Sequence, residues 1–180
     1  MGECDPDHAL LLRISQGDTH AFRVLIEKHL SRGVKVAERM LGNRQDAEDV
    51  MQEVCLKIWK ESPRWQPRAK FSTWLYRVVL NACLDRKRRV RILAASNDLE
   101  EIADEQPIAE QQLMNRQMSK QVKAALHALS QRQRAAIILS YYEGLGSQEA
   151  AECMRIRLGA FQQLLHRAKQ NLKASLGEAK

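Results

Sequence analysis

Between residues 95 and 110 the chain carries six carboxylates and no lysine or arginine, whereas residues 1–94 hold a net charge of +6 and residues 111–180 a net +7. The run S-N-D-L-E-E-I-A-D-E-Q-P-I-A-E has no aromatic side chain, weak periodicity and a proline at Pro107. It cannot bury enough apolar surface to offset the entropy of ordering itself, and so reads as a solvated linker. We place the boundaries at 1–94, 95–111 and 112–180. The sixteen acidic-stretch residues 95–110 reach about 55 Å when extended and average about 20 to 25 Å as a coil, so the flanking pieces can bind separate places on one target. The alternative is an acidic surface loop within a single domain.

Eight glycines and four prolines in 180 residues leave few breaks, and 44% of the residues are hydrophobic, which favours helix on both sides of the linker. In the first piece the spacing predicts helices over residues 7–16, ended by Gly17, and 19–41, ended by Gly42 and Asn43. A third begins at Asp46, with Ala47, Val50, Met51, Val54, Cys55 and Ile58 on one face, and Pro63 stops it. Ser72 or Thr73 can cap a fourth, whose expected buried stripe is Trp74, Leu75, Val78, Val79, Ala82 and Cys83. In the second piece a helix ends near Leu129, and Ser130 caps another carrying Ala135, Ile138, Leu139 and Tyr142. A short helix spans 147–154, and a last one runs from about Ala160 to Leu176. The fold class expected is therefore all-α: a four-helix bundle, an acidic flexible linker and a helix-turn-helix domain.

No stretch approaches the roughly 20 apolar residues of a membrane span, and the acidic N-terminal residues Glu3, Asp5 and Asp7 do not suit a leader, so the cytoplasm is expected and membrane insertion is not. Cys4, Cys55, Cys83 and Cys153 form no C-x-x-C pair. Cys55 and Cys83 read as core, and Cys4 with Asp5 and His8 as an accidental grouping at a frayed terminus rather than a metal site. Phosphate loops, H-E-x-x-H and G-x-S-x-G are absent from the sequence and the five histidines are dispersed, so neither catalysis nor a cofactor or metal is expected.

A net charge of +7 points to an anionic partner, and three groups of residues refine that. Glu48, Asp49, Gln52 and Glu53 gather on the polar side of the third helix, an acidic patch that would repel phosphate and accept guanidinium groups of a protein. The bland reading is a solvated face complementing the helix dipole. Trp59, Trp65, Phe71, Trp74 and Tyr76 are interleaved with Lys60, Arg64, Arg68, Lys70 and Arg77, the pairing of stacking surface and cation that single-stranded nucleic acid needs. Behind them Arg77, Asn81, Asp85 and Arg88 recur on one helical face, with Asn81 offering donor and acceptor to a base edge. Cations from Arg86 to Arg91 suit phosphate or a solvated helix end. The final helix presents Gln162, Gln163, His166, Arg167 and Lys169, suited to base edges and phosphate in a major groove.

The order G-D-x-x-A-F (Gly17 to Phe22), D-A-E-D-V-x-Q-E-V (Asp46 to Val54), F-S-T-W-L-Y-R-V-V-x-N-x-x-x-D-x-x-R (Phe71 to Arg88), an acidic linker, Y-Y-E-G-L-G-S-Q-E-A-A (Tyr141 to Ala151) and a terminal L-x-R-A-K helix resembles the extracytoplasmic-function sigma factors of bacterial RNA polymerase. The resemblance covers nearly the whole chain. It implies a sigma-2 domain, a linker running through polymerase and a sigma-4 domain, with polymerase core and promoter DNA as partners and an anti-sigma protein as a further one. By the same resemblance, Glu48, Asp49, Gln52 and Glu53 would grip the clamp helices of the beta-prime subunit, and the second domain would meet the beta flap. The minus-ten set would be Trp65, Lys70, Phe71, Ser72, Thr73, Arg77, Asn81, Asp85 and Arg88, with the loop and Asn81 capturing an extruded base. The minus-thirty-five set would be Ser147, Gln148, Arg157, Gln162, Gln163, His166, Arg167 and Lys169. The chain departs from the family pattern at Gly146, where a capping Ser or Thr is usual, at Phe161 and at Gln162-Gln163. The rival readings are a helix-turn-helix regulator that never meets polymerase, against which the acidic patch argues, and a nucleic-acid enzyme, against which the lack of clustered catalytic groups argues.

Overall fold

Asp18 accepts a hydrogen bond from the Ala21 N–H at 2.9 Å and so starts a 23-residue helix, which Gly42 ends in the left-handed region at φ +90°. That pairing of cap and stop typifies the computed structural model, which describes residues 5–64, 70–96 and 113–177. Its elements are α1 (His8–Ser15), α2 (Thr19–Leu41), α3 (Arg44–Glu61) with a 3-10 turn at Ser62–Arg64, and α4 (Phe71–Ser96). They are followed by α5 (Leu113–Ala128), α6 (Gln131–Ile137) running into a π-turn at Ile138–Tyr142, α7 (Ser147–Met154) and α8 (Leu158–Gly177). Every regular element among the described residues is helical. None is long and apolar enough to cross a membrane. Of the expected linker at residues 95–111, the first two positions belong to the end of α4, and the rest lie outside the described residues.

Two helix starts differ from expectation because of capping. Asn43 Oδ1 accepts from the Gln45 and Asp46 amides at 2.8 and 3.2 Å, so α3 begins at Arg44 rather than Asp46. Helix α4 is not capped by Ser72 or Thr73. It starts at Phe71, whose N–H donates to Asp5 Oδ2, a cap supplied from 66 residues earlier. Asp5 is thus occupied as a helix cap rather than frayed, while Cys4 lies outside the described residues. Asp7, buried, meets Lys28 Nζ at 2.5 Å and His29 Nε2 at 2.7 Å, tying α1 to α2. The capping box at Ser130 and Gln133 starts α6 as expected.

In the first half α1 to α4 bury Leu11, Leu25, Met40, Val54, Ile58, Phe71 and Val79. Gly33 lets α2 and α3 close up, because a Cβ there would come within 2.7 Å of Met51 Sδ. In the second half Ile138, Leu139, Ala151 and Phe161 fill the space among α6, α7 and α8. Tyr142, expected in that core, is instead 42% exposed, because the π-turn shifts the register of its helix.

The two halves are docked on each other. Helix α2 packs on α5 and α6, helix α4 packs on α7, and the buried residues of both form one cluster. Helix α4 accordingly shows a second covered stripe, Thr73, Tyr76 and Leu80, beside the expected Leu75, Val78, Val79 and Cys83. Trp74 and Ala82 are only half-buried.

Candidate nucleic-acid and protein interfaces

Helix α3 turns Ala47, Val50, Met51 and Val54 inward, which leaves Gln52 and Glu53 exposed on the opposite side and Glu48 and Asp49 half-buried at its edge. The four carboxylate and amide groups do not form one uniform patch. Arg86, reaching across from α4, donates to Asp46 at 2.5 Å and to Asp49 at 3.0 Å. Burial opposes the Arg86 charge, yet these two carboxylates outweigh it and hold the guanidinium above its usual pKa. Arg86 is therefore turned inward and is no part of a phosphate-binding helix end. Arg44 Nε donates to Glu48 at 2.8 Å, one turn away. Gln52 and Glu53 are the members most open to a protein partner.

Beside that edge, α2 and α3 enclose a groove of about 1130 Å³ lined by Phe22, Ile26, Leu30, Cys55, Leu56 and Trp59, with Glu48 and Gln52 at its rim. Leu56 is 61% exposed there, and Phe22 meets Trp59 edge-to-face at 5.2 Å. The sequence pattern placed Cys55 in the core and Trp59 in an aromatic and basic cluster, and did not reveal the groove. Its signal was Leu56, apolar and one position outside the buried stripe of α3.

The minus-ten candidates divide sharply by position. Trp65 and the loop to residue 69 lie outside the described residues. Lys70 is exposed and pairs with Glu149 of α7 at 3.6 Å. Phe71 is a correction: it is fully buried against His29 and Trp74, at ring separations of 5.1 and 5.7 Å, so it supports the surface and cannot form it. Ser72 is half-buried. Thr73 is covered, and its carbonyl oxygen accepts from Cys153 Sγ of α7 at 3.6 Å. Arg77 is half-buried, and Asn81, Asp85 and Arg88 are exposed, the last two joined at 3.0 Å. Asn81 is thus the open hydrogen-bonding amide of this row.

The helix-turn-helix depends on Arg155, which ends α7 at φ +54° and lets the Ile156 N–H return to the Ala151 carbonyl at 3.0 Å. Helix α8 starts at Leu158, two residues before expectation, with the Phe161 N–H on the Arg157 carbonyl at 3.0 Å. Phe161 and Ala168 turn inward, so Arg157, Gln162, Gln163, His166, Arg167 and Lys169 are brought together on open surface. Lys169 lies at the edge of the group, 5.2 Å from the centre of the Tyr141 ring. Ser147 is half-buried, and Gln148 donates to Glu152 at 2.9 Å. Behind α8 a second apolar cleft, of about 610 Å³, is lined by Ile137, Tyr141, Tyr142, Leu172 and Leu176, and no local sequence pattern marks it.

Residues 25–92 match the profile described as Sigma-70 region 2, and residues 119–172 that described as Sigma-70, region 4. Among curated relatives, the ECF RNA polymerase sigma factor SigE of Mycolicibacterium smegmatis is 32% identical over 157 residues, 86% of this chain and 61% of that protein. The RNA polymerase sigma factor CnrH of Cupriavidus metallidurans is 32% identical over 184 residues, 96% of this chain and 95% of that protein. Among solved structures, CnrH in complex with the cytosolic domain of CnrY superposes with a TM-score of 0.75, covering 97% of this chain and 99% of that one, at 22% identity. Two matched regions in that order, and a relative of this similarity along nearly its whole length, place the chain in the extracytoplasmic-function branch of the sigma-70 family.

Proposed function

We propose that this chain binds the core of bacterial RNA polymerase in the cytoplasm, directs it to selected promoters and helps to melt them, catalysing no reaction of its own. The observation that carries this reading is the separation of two chemistries on one molecule. An acidic and amide edge at Gln52 and Glu53 beside an apolar groove suits a protein partner, while an exposed Gln, Arg and His row on α8 suits a major groove. In this reading α3 and the groove take the clamp helices of the beta-prime subunit, and the cleft behind α8 takes the beta flap. The loop at 65–70 with Asn81 receives a base extruded from the minus-ten element, whose unstacking costs a few kcal/mol and is offset by stacking and edge contacts. Helix α8 reads the minus-thirty-five element. The solved relatives include sigma factors held by other proteins, CnrH with CnrY and RpoE with the anti-sigma factor NepR, which supports an anti-sigma partner for this chain too.

Run-off transcription on a promoter library, with core polymerase and with or without the chain, tests the reading. Promoter-dependent transcripts that require the chain are expected; none on any template, with the protein folded, would leave the regulator that never meets polymerase.

A further inference from the structure

Helix α4 carries most of the minus-ten candidates, and the residue before it cannot cap it. The Lys70 carbonyl accepts the Trp74 N–H at 3.2 Å, but a lysine side chain has only donors, so the Phe71 amide has no acceptor on its own helix. Asp5 supplies one. Its Oδ2 accepts from Phe71, while its Oδ1 accepts the Asp7 N–H at 3.0 Å and its carbonyl the His8 N–H at 2.9 Å, so the cap is fixed to the start of α1. Asp7 in turn holds Lys28 and His29 of α2, and the His29 ring meets Phe71 edge-on at 5.1 Å. The first residue of α4 is therefore held by its amide and by its ring, both through the same N-terminal turn.

That segment also reaches the preceding element. Helix α1 packs on the 3-10 turn at Ser62–Arg64, where Ser62 is buried and its hydroxyl donates to the Trp59 carbonyl at 2.8 Å. Residues 5–15 thus hold the end of that turn and the start of α4 together. Other ties on this stretch come from the second half, where the Tyr76 hydroxyl donates to Glu143 at 2.8 Å and Lys70 pairs with Glu149 at 3.6 Å. The hold through Asp5 belongs to the first half alone. Asn81 lies about 15 Å from Phe71 along one continuous helix, at about 1.5 Å per residue, so a shift or rotation at the first residue is carried to the open amide. A site that must receive an extruded base tolerates only about 0.5 Å of such error.

We propose that Asp5, backed by Asp7 and His29, is a positioning residue for promoter melting: it fixes the start of α4, and through that helix the place of Asn81, without belonging to the surface that meets DNA. The proposal rests on the sigma-factor reading above. The acidic N-terminal residues, which the sequence leaves as an accidental grouping, then serve the minus-ten face from a distance.

Permanganate reactivity and core affinity of the full chain, measured with core polymerase on a promoter taken from the run-off library, test it. Asp5→Ala should lower open-complex formation at least about tenfold, the scale of a misplaced contact, with core affinity within about twofold of wild type. Asp5→Asn, whose amide oxygen still accepts the Phe71 N–H, should recover opening to within about twofold of wild type. Asp5→Glu keeps the charge but lengthens the arm by one methylene. It should stay at least about threefold short in opening, and it decides the matter should Asp5→Ala lose helicity. Because Asp5 acts through Asn81, the double variant Asp5→Ala/Asn81→Ala should open no worse than about twofold below the poorer single variant, whereas independent sites multiply their losses. Multiplied losses, an asparagine as poor as alanine, a parallel loss of core affinity, or unchanged opening in Asp5→Ala and Asp5→Glu would each overturn the role. A wild-type chain that yields no promoter-dependent transcript removes the sigma-factor reading along with it; a working wild type with any of those results removes the Asp5 role alone.

Discussion

Gly42 sits under two constraints, a φ of +90° and a neighbour, since a Cβ at that point would come within 2.8 Å of His127 Cε1 from the other half. Gly17 has φ +87° and nothing within 4 Å, so it carries the backbone constraint alone. Placing an L side chain in the left-handed region costs about 1 to 2 kcal/mol. We expect Gly17→Ala to lose about that much in urea unfolding and Gly42→Ala to lose at least about 1 kcal/mol more. Equal losses would mean that His127 swings aside freely. The helix stop at Gly42 was legible in the sequence, because glycine followed by asparagine after a long apolar-periodic run has a local physical meaning. His127 was not, because nothing in a local pattern marks a contact between residues 85 positions apart.

At the scale of elements, the proposed function divides the work between α3, turned to protein, and α4, turned to nucleic acid. Asn81→Ala should lower open-complex formation, read by permanganate reactivity, at least about tenfold while core affinity stays within about twofold, as removal of a base-edge contact predicts. Glu53→Lys should do the opposite, weakening core binding at least about tenfold, the effect of placing like charge in a steered contact. Asp49→Lys will mix that effect with instability, because it also releases Arg86, so Glu53 gives the cleaner measurement. Comparable loss of both activities in the Asn81 and Glu53 variants would erase the division. Most helices were legible from 3.6-residue spacing and caps, as was the exposed row of Gln162, Gln163, His166, Arg167 and Lys169 on α8. The identity of the cap on α4 was not, because Asp5 reaches it through tertiary structure. Nor was the inward turn of Arg86, which looked like one more cation in a basic run. The groove at Leu56 escaped because hydrophobic periodicity reports which face is apolar without reporting where a neighbouring helix stops covering it.

Across the whole molecule, the halves meet at a histidine as well as at Glu143. Burial, then Arg134, Lys87 and Lys123, lowers the His127 pKa from 6.5 to about 4. The unfolded chain therefore takes up a proton near pH 6.5 that the folded chain refuses, so this contribution to stability is complete above that pH and is lost as pH falls towards 4. The thermal midpoint should drop between pH 7.5 and 5, and His127→Gln should flatten that part of the profile; an unchanged slope would show that the imidazole stays hydrated in the docked chain. Lys87 belongs to α4 and Lys123 to α5, so a charged His127 would push the halves apart from within. The π-turn at Ile138–Tyr142 has a consequence for chain length. Shortening that segment by one residue would allow ordinary α-helical winding, and each residue removed rotates the downstream chain by about 100°. Glu143 would then face away from Tyr76. Because α8 packs on α6 as well as on α7, that rotation would also turn α7 and α8 away from α6. A single-codon deletion there would disturb the second half's own core, in which Ile138 and Leu139 are buried, along with its contact to the first half.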